Sequence, residues 1–372
     1  GVSLYASVAP DREPDRRFGG GQSPTLTMAI PGQSFSVDAR LVNGGPETIA
    51  VSSVELAATD GRHWNIHAAK PAETSVAGGK DARCKFSVTA PEDAQLTKAY
   101  FTRRDREQPY YDLTDERFRN LSLAPYPLAA TVRLTYRGAA FELRQVVQTH
   151  QRVEGIGVLE DPLLMAPAIS VSLSPSAGAV PLGSKSFAFS CTLRSNVKGP
   201  AHGALRLRLP SGWEAVPAQI PFSFAHDGDG ETFTFQISPH AMQAKKYEIA
   251  AVADYAGKTY EEGFRQVGYA GLRPYPYYRP ATYQAVGVDV KTAPGLRVAF
   301  LPGTGDDVPR ALEDLGLRVQ ILFGSDIETG DLRGFDASVL GVRAYAVRPD
   351  LRAANGRLLN YVKNGGVLIV QY

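Results

Sequence analysis

A chain of 372 residues has room for two or three domains of roughly 100–200 residues each, and its 44% hydrophobic content is that of a globular protein with packed cores. The net charge of +2, with Lys and Arg spread along the chain, argues against a nucleic-acid partner. No stretch nears the roughly 18 consecutive apolar residues of a membrane span, so none is expected.

The chain opens on "GVSLYASV", an alternation that predicts a strand and carries no signal-peptide pattern. Starting in structure without an initiator Met, it reads as a piece of something longer. From residue 1 to about 270 the period is two. "SFSVDARLV" (34–42), "ATVRLTY" (130–136), "ALRLRL" (204–209) and "TFTFQI" (232–237) alternate apolar with polar, and Arg137-Gly138 and Ala256-Gly257 read as hairpin turns. Many short strands without long helical patterns predict two immunoglobulin-like β-sandwiches, at 1–160 and 165–270, meeting near "EDPLLMAPA" (160–168). Cys84 and Cys191 alternate with apolar neighbours and belong on inner faces as small apolar residues, one in each sandwich and unpaired.

A weak internal repeat supports two copies. "PGQSFSVDARLVN", "DGRHW" and "GGKDARCKFSVTAPEDAQ" parallel "LGSKSFAFSCTLRSN", "PSGWEAVP" and "DGDGETFTFQISPHAMQ". The first copy carries a long insertion, "YFTRRDREQPYYDLTDERFRNLSLAPYP" (100–127), rich in aromatic and charged residues. Long loops on sandwiches carry function, which makes it the best binding candidate.

After a Tyr/Pro-rich linker at 271–284, the pattern becomes α/β over 285–372. "LRVAFLPG", "RVQILF", "ASVLGVR" and "VLIVQY" read as buried strands. Val308, Leu312 and Leu315 give one helical stripe, and Leu351, Ala354, Leu358 and Val362 another. Alternating elements predict a parallel, doubly wound, flavodoxin-like sheet, and a sheet ending on such a strand reads as truncated.

Within "GTGDDV" the third glycine of a dinucleotide fingerprint and the Lys-Ser/Thr of a phosphate loop are missing. Asp306 and Asp307 at the helix start satisfy its free N–H groups and repel phosphate, so a structural turn is expected. Asp326 fits either a ribose-binding acid or a helix cap. His63 and His67, on a strand, stand about 13 Å apart and form a surface pair rather than a metal site. Asp227, Asp229 and Glu231 match the first alternate positions of a calcium loop whose closing acid is replaced by Ser238. A hairpin turn is the expected reading, with calcium kept as its alternative. Trp64 and Trp213 are either sugar-stacking platforms or core plugs, and their matching places in the repeat favour the core.

The stretches "PGQSFSVDARLVN", "YFTRRDREQPYYDL", "PLAATVRLTYRG" and "APAISVSLSP", with the last hundred residues from "GLRPYPYYRPATYQ" to "VLIVQY", resemble the region downstream of the catalytic domain in large bacterial PIG-L (LmbE-like) deacetylases. The second sandwich, with "LPSGWEAVP" and "GETFTFQI", is similar to the NPCBM-associated domains of bacterial glycosidases. The last part resembles a class I glutamine amidotransferase-like domain, with Gln371 and Tyr372 near the point where the nucleophilic Cys would stand. The family's Ala-His-Pro-Asp-Asp and His-x-x-His zinc motifs do not occur here, so no catalytic residue or cofactor carries over, and zinc is implied only for the parent's catalytic domain.

The resemblance implies a non-catalytic accessory region of an exported N-acetylglucosaminyl deacetylase, periplasmic or secreted. Its partners would be a carbohydrate or cell-surface glycan, with Trp64, Trp213, Tyr110 and Tyr111 as candidate contacts, and its own N-terminal catalytic domain. Two alternatives stand beside it: a small-molecule or enzymatic site at the carboxyl ends of the last sheet's strands, with Asp306, Asp307, Arg343 and Tyr345, and a structural spacer.

Overall fold

The computed structural model describes residues 1–10, 25–70, 73–105, 107–268 and 275–372. The fold is mainly β, with 49% of residues in strands and 10% in helices.

The first core, running from Leu4 to Met165, lies between two sheets. One is ordered Gly157–Pro162, Gln148–Val153, Val2–Val8, Ser34–Asn43, Lys80–Thr89, Asn65–Ala68. The other is ordered Ala139–Val146, Leu128–Tyr136, Ile49–Ala58, Ser75–Val76. Alternation places Phe35, Val37, Ala39 and Leu41 inward, where they meet Leu56, Val132 and Leu134 from the opposite sheet. Each large aliphatic residue buried this way contributes about 1.5–3 kcal/mol.

The second core runs from Ile169 to Ala285. Its smaller sheet is ordered Ile169–Ser172, Phe187–Ser195, Gly230–Ser238, Glu214–Val216. The larger is ordered Ala177–Pro181, Thr282–Val288, Lys246–Tyr255, Ala201–Arg208, Gln219–Phe224, with Lys258–Tyr260 folded back on Lys246–Tyr255. The repeat is visible in the strand orders. Val2–Val8, Ser34–Asn43, Lys80–Thr89 and Asn65–Ala68 occupy the places that Ile169–Ser172, Phe187–Ser195, Gly230–Ser238 and Glu214–Val216 occupy in the second copy. Each tryptophan immediately precedes the last of these strands. Arg137 and Gly138, at φ 48° and 83°, and Ala256 and Gly257, at φ 49° and 74°, make two-residue hairpin turns, the left-handed pair that matches strand twist.

One boundary differs from the sequence expectation. Tyr275–Pro280 and Thr282–Val288, assigned to a linker at 271–284 and the start of the α/β region at 285, are strands of the sandwich region. Thr282–Val288 pairs with both Lys246–Tyr255 and Ala177–Pro181 and buries Tyr283 and Ala285. The alternation in "TYQAVGV" is masked by the Pro/Tyr-rich run before it, which resembles an extended linker. Tyr275–Pro280 pairs with Glu262–Val267 as a separate hairpin, whose inner residues Phe264 and Tyr278 stack at 5.2 Å. Phe264 packs with Met28, Leu164 and Ala166 of the first sandwich, and the Tyr278 hydroxyl donates to the Met165 carbonyl at 3.3 Å. The hairpin thereby clamps the two sandwiches together.

The last sheet is parallel, ordered Arg318–Ile321, Arg297–Leu301, Ala337–Leu340, Val367–Val370. Helix Val308–Asp314 covers one face, setting Val308 and Leu312 on Val298, Phe300 and Val339. The other face buries Ala299, Leu301 and Leu340 under Ile327, Leu351, Leu358 and Tyr361. Two helical details depart from expectation. The first helix stops at Asp314, so Leu315 is its cap and Leu317 joins the apolar face instead. The run expected as one helix breaks at Ala354 into Pro349–Ala353 and Asn355–Lys363, since Asn355-Gly356 is a poor helix pair. The buried stripe keeps its spacing across the break, with Leu351, Ala354, Leu358 and Tyr361 inside and Val362 41% exposed.

Candidate functional site

The insertion at 100–127 builds its own small core from Tyr100, Phe118 and Ala124, with Phe101 and Leu113 against it. A short ribbon, Phe101–Thr102 with Asp112–Leu113, and a 3-10 turn, Glu116–Phe118, frame that core. Side chains supply the bonds that the scarce secondary structure cannot. The Asp105 carboxylate accepts from the N–H groups of Glu107 and Gln108, each at 3.0 Å. Gln108, buried, accepts from Arg104 N–H at 3.2 Å and donates to Asp112 at 2.8 Å. The Tyr100 hydroxyl donates to the Leu121 carbonyl. The Arg117 guanidinium holds the Asp115 carboxyl below its usual range, while its other arm donates to the Asp60 carbonyl at 3.0 Å and ties the insertion to the sandwich.

On this scaffold Tyr110 is 64% exposed and Tyr111 55% exposed. Tyr111 is held edge-on by Phe101 at 5.2 Å, and the Arg103 guanidinium lies 5.1 Å from the ring centroid. Arg103 was not singled out in the sequence. Arg103 lies just past the strand Phe101–Thr102, outside the ribbon, so strand alternation does not predict its place.

The two tryptophans offer no sugar platform. Trp64 is 4% and Trp213 6% exposed. Trp213 lies between Phe187, at 6.0 Å, and Tyr247, at 4.9 Å. The Trp64 Nε1 is buried with no hydrogen-bond partner among the described residues. Each sits just before a short edge strand at the end of its sandwich, where a large ring closes the space between the sheets.

At the carboxyl ends of the parallel strands the named residues do not converge on a ligand. The Asp306 carboxylate accepts from Val308 N–H at 3.0 Å and Val342 N–H at 3.2 Å, and the Thr304 N–H donates to the Val342 carbonyl at 2.9 Å. These bonds tie the loop after the first strand to the loop after the third, across the place where such sheets admit ligands. A Cβ on Gly303 would collide with the Val342 carbonyl. Asp307, expected with Asp306 to satisfy the helix start, occupies the cap position without a side-chain cap bond, and Asp306 does that work. Arg343 is an exposed left-handed residue at φ 55°, and the Tyr345 hydroxyl donates to Asn355 at 2.8 Å. The charge that does reach the strand ends is Arg348, which the sequence reading passed over. It pairs with Asp350 at 2.5 Å and donates to the Pro302 and Leu322 carbonyls. Asp326 caps its helix by accepting from Phe323 N–H at 2.9 Å.

The turn at 226–229, expected as a hairpin, instead crosses from Gln219–Phe224 of the larger sheet to Gly230–Ser238 of the smaller one, and its two aspartates have other duties. Asp229 accepts from Ala225 and His226 N–H, and Asp227 accepts from the Thr27 hydroxyl of the first sandwich at 3.2 Å. His63 and His67 are both exposed. Among the described residues no group of three or more His, Cys, Asp or Glu is arranged to hold a metal.

A cleft of about 550 Å³ opens between the sandwiches over Pro31, Leu96, Pro167 and Pro280. Its charges answer one another: Glu92 with Lys258, Glu262 with Lys98 at 3.3 Å, and Glu261 with Arg208 at 2.8 Å. Those pairs bridge the sandwiches or brace the second one.

No protein-family model matches this chain, and no curated protein matches it either. Among solved structures, the chain is similar to an apo-form Calx CBD1 domain at 14% identity, over 32% of this chain and 98% of that one, with a TM-score of 0.21. It is also similar to a protein of unknown function from Porphyromonas gingivalis W83 at 10% identity, over 76% of this chain and 99% of that one, with a TM-score of 0.21.

Proposed function

We propose that this chain is a non-catalytic binding and positioning region that recognises carbohydrate through the insertion at 100–127. The observation that carries the reading is the pair Tyr110 and Tyr111, exposed on a loop that has its own core and internal bonding. An aromatic ring held in place loses little freedom on contact, and a ring face suits the apolar face of a sugar. The Arg103 guanidinium beside Tyr111 adds donors for sugar hydroxyls.

The finer fold reading is two immunoglobulin-like sandwiches followed by a flavodoxin-like domain. It draws support from the shared strand orders and from the 2-1-3-4 order of the parallel sheet. From the resemblance to PIG-L deacetylases we infer a region that accompanies an exported, zinc-dependent N-deacetylase, with any zinc in that catalytic domain.

The test is a glycan array of N-acetylglucosamine-containing and other cell-wall oligosaccharides probed with the whole chain. Binding that falls about tenfold or more in Tyr110→Ala/Tyr111→Ala is the expected result, the scale of losing a central aromatic contact. Absence of binding, or binding that survives the double substitution, refutes it.

A further inference from the structure

The hairpin Glu262–Val267/Tyr275–Pro280 has two unlike faces. Its inner residues Phe264 and Tyr278 are cross-strand partners and are spent on the first sandwich. The neighbouring cross-strand pair, Arg265 and Tyr277, points the other way by alternation, as does Arg279 two residues on. The guanidiniums of Arg265 and Arg279 lie 5.7 Å and 5.3 Å from the Tyr277 ring centroid, and that ring is 43% exposed.

Two cations are thus gathered around one aromatic ring, and among the described residues neither forms an ion pair with a carboxylate. Most of the other arginines named above are paired: Arg117 with Asp115, Arg208 with Glu261, Arg348 with Asp350. The two guanidiniums are at most about 11 Å apart, a separation comparable to the Debye length of about 8 Å at physiological salt, so their repulsion is only partly screened. An external anion would relieve it. Each guanidinium keeps a fork of N–H donors that matches a carboxylate in bidentate geometry.

We propose that the outer face of this hairpin binds acidic carbohydrate, Arg265 and Arg279 taking carboxylates and Tyr277 stacking on a sugar ring. Nucleic acid fits less well. It is held by many phosphate contacts along a basic stripe, whereas this site offers two cations on a chain of net charge +2. A uronic-acid polymer supplies one charge per residue together with a ring face, which is the pattern displayed here. The site is braced from behind by the Phe264–Tyr278 stack and by Lys98, which pairs with Glu262 and lies 5.5 Å from the Tyr278 centroid. It is distinct from the insertion and stands whether or not Tyr110 and Tyr111 bind.

The test uses the whole chain and oligogalacturonate as probe, read by titration calorimetry at low salt. Binding is expected, falling about tenfold for each of Arg265→Gln and Arg279→Gln, the scale of a hydrogen bond to a charged group. Tyr277→Ala should weaken it comparably. Arg265→Lys, which keeps the charge and loses the fork, should recover only part of the loss. The fully methyl-esterified oligomer should not bind. The proposal is overturned if oligogalacturonate does not bind or if binding survives Arg265→Gln/Arg279→Gln. Equally tight binding of an oligothymidylate of matched charge would also overturn it.

Discussion

Phe235 gives the most direct test of how the β region is built. It is fully buried on Gly230–Ser238, directly across from Phe189, and it belongs to a core that shares no residue with the first sandwich. Replacing it with Ala removes a whole ring from a closed core, which costs about 3–5 kcal/mol. With a urea dependence of about 2 kcal/mol per molar for a domain of this size, the midpoint of the second sandwich should fall by roughly 2 M. The chain carries two tryptophans, and each reports on one core, Trp64 on the first and Trp213 on the second. In a Trp64→Phe background the remaining fluorescence follows the second sandwich, and in a Trp213→Phe background the first. The expected outcome is a large shift for Trp213 and a small one for Trp64, because the sandwiches are joined outside their two cores, by the small cluster around Phe264 and by side-chain pairs such as Thr27 with Asp227 and Lys98 with Glu262. Equal shifts at both tryptophans would refute the separation of the two cores. A shift below about 0.5 M, near 1 kcal/mol, would refute the packing assigned to Phe235.

Burial pushes the Cys191 thiol up to about 12 and raises Cys84 as well. Both should therefore resist alkylation at pH 8 in the native protein and react only in denaturant, as mass spectrometry would show. Because its folded value is raised above the ordinary 9.0, Cys191 contributes stability that is intact below pH 9 and lost as pH rises towards 12. The hydrogen bonds from Arg348 hold the Asp350 carboxyl below its usual 3.8. Its contribution is therefore present at neutral pH and disappears as pH falls through the lowered value. Asp350→Asn should flatten the acid limb of the stability profile of the last sheet, measured by circular dichroism, and an unchanged limb would count against the pair.

The β region was legible because its signal is local. A strand with one face buried must alternate, and "SFSVDARLV" and "TFTFQI" alternate whether or not their partners are known. The repeat also survived, since the two copies keep a Trp just before the same short strand. Thr282–Val288 alternates as well, but its partner Ala177–Pro181 lies about a hundred residues back, and a Pro/Tyr-rich run masks where the strand begins. In the last sheet, the stripe Leu351, Ala354, Leu358 was legible. The choice of Tyr361 over Val362 was not, because both stand at stripe spacing from Leu358, three and four residues on, and packing decides between them.

The sites were harder to read, for a different reason. Residue type says what a side chain can do, while partners decide whether it is still available. Asp306, Asp227 and Asp229 have the chemistry of ligands, yet backbone N–H groups or a threonine already claim them. Trp64 and Trp213 have ring faces, but the sheets cover them. Arg265 and Arg279 carry no signal of their own in the sequence, and only the cross-strand register gathers both around Tyr277, with no carboxylate paired to either among the described residues. Tyr111 and Tyr277 share one arrangement: an exposed ring, a guanidinium beside it, and a packed aromatic behind. Each of the two tyrosines thus joins aromatic surface to a neighbouring cationic donor.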